Sequence, residues 1–78
     1  MKTKRKHLPM SLVIFDPRYA DGKKQKVDKT HPLKYGETVL YLGEVVNVPG
    51  HCAVAKDTGL VVWLLHPEDF RKAKESEL

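Results

Sequence analysis

The chain has 78 residues, of which 41% are hydrophobic and 31% charged, and a formal net charge of +4. That bounds it to one globular domain at most, able to bury only roughly 60–65% of the surface exposed by the unfolded chain. A single cysteine excludes an internal disulfide, and no apolar run approaches the roughly 18 residues of a membrane-spanning helix.

The first nine residues read as a basic, flexible arm. Lys2, Lys4, Arg5 and Lys6 give residues 1–10 a charge of +4, residues 11–29 add +2, and residues 30–78 carry −2. The whole basic excess therefore lies ahead of residue 30. A positive start followed by "LPMSLVIF" invites comparison with a signal peptide. The apolar run is short, contains Pro9 and ends at Asp16 without a small-residue cleavage site, so a cytoplasmic protein is the expectation.

"SLVIF", residues 11–15, predicts a first strand, stopped by the turn signal Asp16-Pro17. Residues 18–36, "RYADGKKQKVDKTHPLKYG", have little apolar content and predict a long polar loop or irregular hairpin, which in so small a domain is functional or mobile. From Glu37 the composition turns to β-branched and aromatic residues. "ETVLYLGEVVNV", "HCAVAK" and "LVVWLLH" are separated by Pro49-Gly50 and Asp57-Thr58-Gly59, a spacing that predicts three or four short strands. Gly43 inside an apolar run predicts a bulge or bend, and Gly59 a tight hairpin at positive φ. Pro67, with Glu68 and Asp69 in a first turn, predicts a short helical turn pinned by Phe70. The pairs Glu68–Lys72 and Arg71–Glu75 make a longer helix the alternative.

A strand, a long polar loop, three closely spaced strands and a late helical turn resemble an SH3-like small β-barrel. The resemblance rests on "LKYGETVLYLGEVV", "PGHCAVAKDTGLVVWLLH" and "PEDF", and covers roughly residues 10–72. "YGETVLYLGE" is similar to the Gly-x-x-Val lead-in strand of several bacterial and phage barrels, KOW-like modules among them. The "ALYDY" signature of peptide-binding SH3 domains is absent, as is a "VQIY" segment of the plasmid-borne barrel reductases, so neither activity is implied. The expected architecture is a mainly all-β, SH3-like barrel of about five short strands over residues 10–72, with residues 73–78 a charged tail.

"NVPGHCAV" places His51 beside Cys52, the only cysteine. Neighbours on a strand point to opposite faces, so this pair cannot act as nucleophile and base, and Cys52 reads as a small buried hydrophobe. The histidines His7, His31, His51 and His66 show no chelating spacing, so no metal or other cofactor is expected. Ser11 and Ser76, the two serines, lie near the chain ends, and no phosphate-binding glycine motif occurs, so no enzyme is expected.

"LVVWLLH" is apolar at every position from 60 to 65, so both faces of that strand need cover. One face belongs to the core. The other is covered internally, by Phe70, "SLVIF" or the long loop, or by a partner protein or second copy anchored on Tyr41, Val61, Trp63 and Leu65. Two functions follow. The first is a non-catalytic protein-binding module, of the kind phages and mobile elements use to bind or inhibit a host protein. The alternative is a nucleic-acid-binding barrel in which Lys4, Arg5, Lys6, Arg18, Lys23, Lys24, Lys26 and Lys29 track phosphates, with Tyr19 or Tyr35 for stacking. Scarce aromatics and an acidic second half favour the first. No membrane partner is expected.

Overall fold

A computed structural model describes residues 7–74. Its strands are β1 (Ser11–Phe15), β2 (Thr38–Glu44), β3 (Cys52–Ala55), β4 (Val61–Leu65) and β5 (Phe70–Lys72), with a 3₁₀ turn over Pro67–Asp69. All pairings are antiparallel, and the sheet runs β4-β3-β2-β1-β5. β4 and β5 are both edges, so the sheet does not close into the expected barrel. β5 has three residues and β4 is broken by a bulge, which leaves too little regular edge on either side for a closing ladder.

The inward face gathers Val13 and Phe15 of β1, Val39 and Tyr41 of β2, Cys52 and Val54 of β3, Val62 of β4 and Phe70 of β5. These alternate along each strand as the pleat requires. Phe15 and Phe70 meet at 5.5 Å with a tilt of 53°, closing the core beneath β1 and β5. Leu33, from the long polar loop, is 1% exposed and fills the same core. Its burial contributes about 1.5–3 kcal/mol and anchors the loop to the sheet.

The loop is extensively hydrogen-bonded. Arg18 and Lys24 form an isolated antiparallel bridge, with Gly22 N–H donating to the Tyr19 carbonyl at the turn. The Asp28 carboxylate accepts from the Thr30 N–H and hydroxyl. Lys56 Nζ donates to the Pro32 carbonyl at 2.7 Å and pairs with Glu37 at 3.5 Å, clamping the loop's far end to the β3–β4 hairpin.

Two bulges shape the sheet. On β2, Tyr41 pairs with Val54 and Gly43 with Ala53, leaving Leu42 extra; Gly43 sits at φ +131°, as its place in the apolar run predicts. On β4, Val62 pairs with Val54 and Leu65 with Cys52, so Trp63 and Leu64 together oppose Ala53. Here the left-handed residue is Leu64, at φ +61°. The β3–β4 hairpin turns on Gly59 at φ +91°, closed by the Lys56 N–H to Leu60 carbonyl bond.

The short helical turn expected at Pro67 is present as the 3₁₀ turn, and the alternative of a longer helix is not: Phe70 follows the turn into β5, where Arg71 bonds to Asp16. Of the arm expected over residues 1–9, residues 7–9 are described. His7 is buried, and its Nε2 lies 3.2 Å and 3.1 Å from the carbonyl oxygens of Pro67 and Phe70. Both partners are acceptors, so that nitrogen carries the proton. The ring also tilts against Tyr41 at 5.2 Å. Lys4, Arg5 and Lys6, and the tail beyond residue 74, lie outside the described residues. No helix among the described residues is long and apolar enough to cross a membrane.

Candidate functional site

The face of the sheet turned away from the core is apolar over part of its width, from β1 to β4, with Thr38 and Arg71 beside Ile14 on the same face. Leu12 pairs with Leu40, Leu40 with Ala55 and Ala55 with Val61, so one row of apolar side chains crosses four strands. Leu12 is 44% and Val61 37% exposed, and a shallow groove of about 300 Å³ lies along Leu12, Leu40 and Ala55. The row ends at β4, where Leu60, Trp63 and Leu64 are each more than half exposed, Trp63 at 62%. No charge interrupts residues 60–65. Among the described residues β4 is an uncharged edge beside an exposed indole, a surface that proteins ordinarily blunt with charge or proline.

The bulge decides which side chains reach this surface. A regular strand with Val62 inward would also send Leu64 inward and Leu65 outward. The extra residue resets the phase: Val62 and Leu65 pack on the core, while Trp63 and Leu64 both project into solvent. Of the four residues expected at the interface, Trp63 and Val61 are on it. Leu65 is partly buried against the core, and Tyr41, at 2% exposure, belongs to the core outright. Tyr41 is two residues from Val39 on a regular part of β2, so the pleat turns both to the core.

The basic loop makes a second surface. Lys23, Lys24, Lys26 and Lys29 are exposed, as is Tyr19. Arg18 is not a free cation: its Nε donates to Asp16 at 2.9 Å. Asp16 also accepts from Arg71 Nε at 2.9 Å and from the Tyr35 hydroxyl. Partial burial pushes the Asp16 carboxyl up, but the bonds from Tyr35, Arg18 and Arg71 outweigh it and hold the pKa below the ordinary carboxylate value. Tyr35 responds in the opposite sense, raised by desolvation and by its bond to Asp16. The Tyr35 ring carries Lys24 Nζ 5.0 Å from its centroid, so its hydroxyl and one face are both engaged.

Cys52 is fully buried, and the structure separates it from the imidazole beside it in sequence. Burial pushes the thiol up to about 11, against a hydrogen bond from Tyr41 that pulls it down; nearby Asp69, Glu68 and Glu44 add to the rise. At neutral pH it is a protonated, packed side chain without nucleophilic character. His51 turns to the other face and meets His66, with ring centroids 4.7 Å apart. That approach carries no signature in the sequence, because it depends on the pairing of Cys52 with Leu65. No group of three or more His, Cys, Asp or Glu side chains suited to a metal ion occurs among the described residues.

No protein-family model matches the chain, and neither the curated proteins nor the solved structures contain a match.

Proposed function

We propose that this protein is a non-catalytic protein-binding module of SH3-like type that engages its partner through the outward face of β4, with Trp63 as anchor and Leu60, Val61 and Leu64 around it. The observation that carries the reading is the β4 bulge, which places an indole and three aliphatic side chains in solvent on one uncharged edge. Exposed aromatic anchors set in apolar surroundings supply most of the binding energy at protein interfaces. The strand order β4-β3-β2-β1-β5 and the 3₁₀ turn before the last strand support the SH3-like reading.

A second reading, nucleic-acid binding by the loop, rests on the four exposed lysines and on exposed Tyr19. It is weakened by the pairing of Arg18 with Asp16 and by the engagement of Tyr35. A pull-down from a lysate of the producing cells, with and without nuclease, separates the two. Under the protein-binding reading, Trp63→Ala abolishes capture, while nuclease and the combined replacement of Lys23, Lys24, Lys26 and Lys29 by Glu leave it. The opposite pattern overturns this reading in favour of nucleic acid.

A further inference from the structure

The second consequence of the β4 bulge lies at the far end of the strand. With Leu65 inward and paired with Cys52, the next residues on each strand, His66 and His51, fall opposite each other on the outward face. Without the extra residue the phase would be reversed and His66 would face the core. The backbone strain of Leu64, at φ +61°, thus accompanies a specific outcome: two imidazoles brought to a centroid separation of 4.7 Å at a tilt of 43°.

The His51 ring is already fixed. Its Nδ1 lies 3.1 Å from the Pro49 carbonyl, an acceptor, so that nitrogen must carry the proton. Nε2 of the neutral ring then holds the lone pair. An imidazole whose other nitrogen donates to a backbone carbonyl is the arrangement found at metal-ligating histidines. His66 is exposed and His51 half-buried, so solvent reaches the pair. One acidic side chain stands beside the pair: Asp69 is near enough to His66 for their charges to interact. The nearest chain segment, residues 44–51, contributes no lysine or arginine.

We propose that His51 and His66 form a binding site for a divalent transition-metal ion, Zn²⁺ being the physiological example. Two imidazole ligands come from adjacent strands and solvent completes the coordination. Borderline ions of this type favour imidazole over the oxygen ligands preferred by Mg²⁺ or Ca²⁺. Two protein ligands define an open, exchangeable site, distinct from the closed four-ligand sites that hold small folds together. The site is independent of the partner reading above, although it shares the outward face with Trp63.

Titration of the untagged protein with Zn²⁺, followed by calorimetry and by imidazole ¹⁵N resonances, tests it. One equivalent is expected to bind and to move the ring nitrogens of His51 and His66, leaving those of His7 and His31 in place. His51→Gln and His66→Gln are each expected to weaken binding about tenfold or more, and His31→Gln to leave it unchanged. Mg²⁺ is expected to produce no shift. Absence of binding, or shifts confined to His7 or His31, overturns the proposal. The resonance test uses the unmodified protein and so stands even if a variant misfolds.

Discussion

Leu64 holds a left-handed backbone conformation that costs a non-glycine residue about 1–3 kcal/mol, with its side chain in solvent, where it gains little packing. Leu64→Gly is therefore expected to raise stability by about 1 kcal/mol, after the entropic cost of glycine, in denaturant unfolding; an unchanged or lower midpoint contradicts the strain. Asp16 joins Arg18, Tyr35 and Arg71, ties the start of the loop to β5, and is expected to cost roughly 2 kcal/mol as Asp16→Ala. Because its folded pKa lies below 3.8, its contribution is present above that value and is lost as pH falls through the lower folded value. Cys52 works in the other direction. Its protonated form is favoured in the fold, so its contribution is complete below pH 9 and is lost as pH rises toward about 11. Thiol-reactive reagents at pH 7.5 are expected to modify it only at the rate of unfolding, and rapid modification of the native protein would contradict its burial.

At the scale of elements, the local devices were legible and the long-range ones were not. Gly43 and Gly59 announce a bulge and a hairpin through their own chemistry, and the alternation around Cys52 sends the thiol inward without knowledge of any partner strand. The β4 bulge is different. "VVWLL" is apolar on both phases, so nothing in its pattern marks where the register slips, and Trp63 and Leu65 could not be separated before the pairing to β3 was known. Tyr41 was misplaced for the same reason, since apolar residues stand on both sides of it. β5 is three residues long, two of them basic, and the helix-like charge spacing around it competes with a strand reading that Arg71–Asp16 and the β1 ladder decide. Leu33 is the clearest case of a polar loop supplying core. Leu33→Ala is expected to cost about 2–5 kcal/mol and to loosen the loop, read as lost amide protection at residues 31–36. A cost below 1 kcal/mol would mean that the loop is not pinned there.

For the whole molecule, an open five-stranded sheet leaves two surfaces with opposite physics: an uncharged apolar edge at β4 and a lysine-rich loop beyond β1. A chain of 78 residues has little core to spare, so an exposed indole on an edge strand is a standing cost in solubility that a bound partner removes. The two surfaces separate by ionic strength, because phosphate contacts weaken steeply with salt whereas apolar burial barely responds. The most direct test of the proposed function is the salt dependence of affinity for the captured partner, measured from about 50 to 500 mM salt, well beyond the range over which surface charges are screened. A nearly flat dependence that Trp63→Ala abolishes is the expected result. A steep loss of affinity with salt, undisturbed by Trp63→Ala, would contradict it.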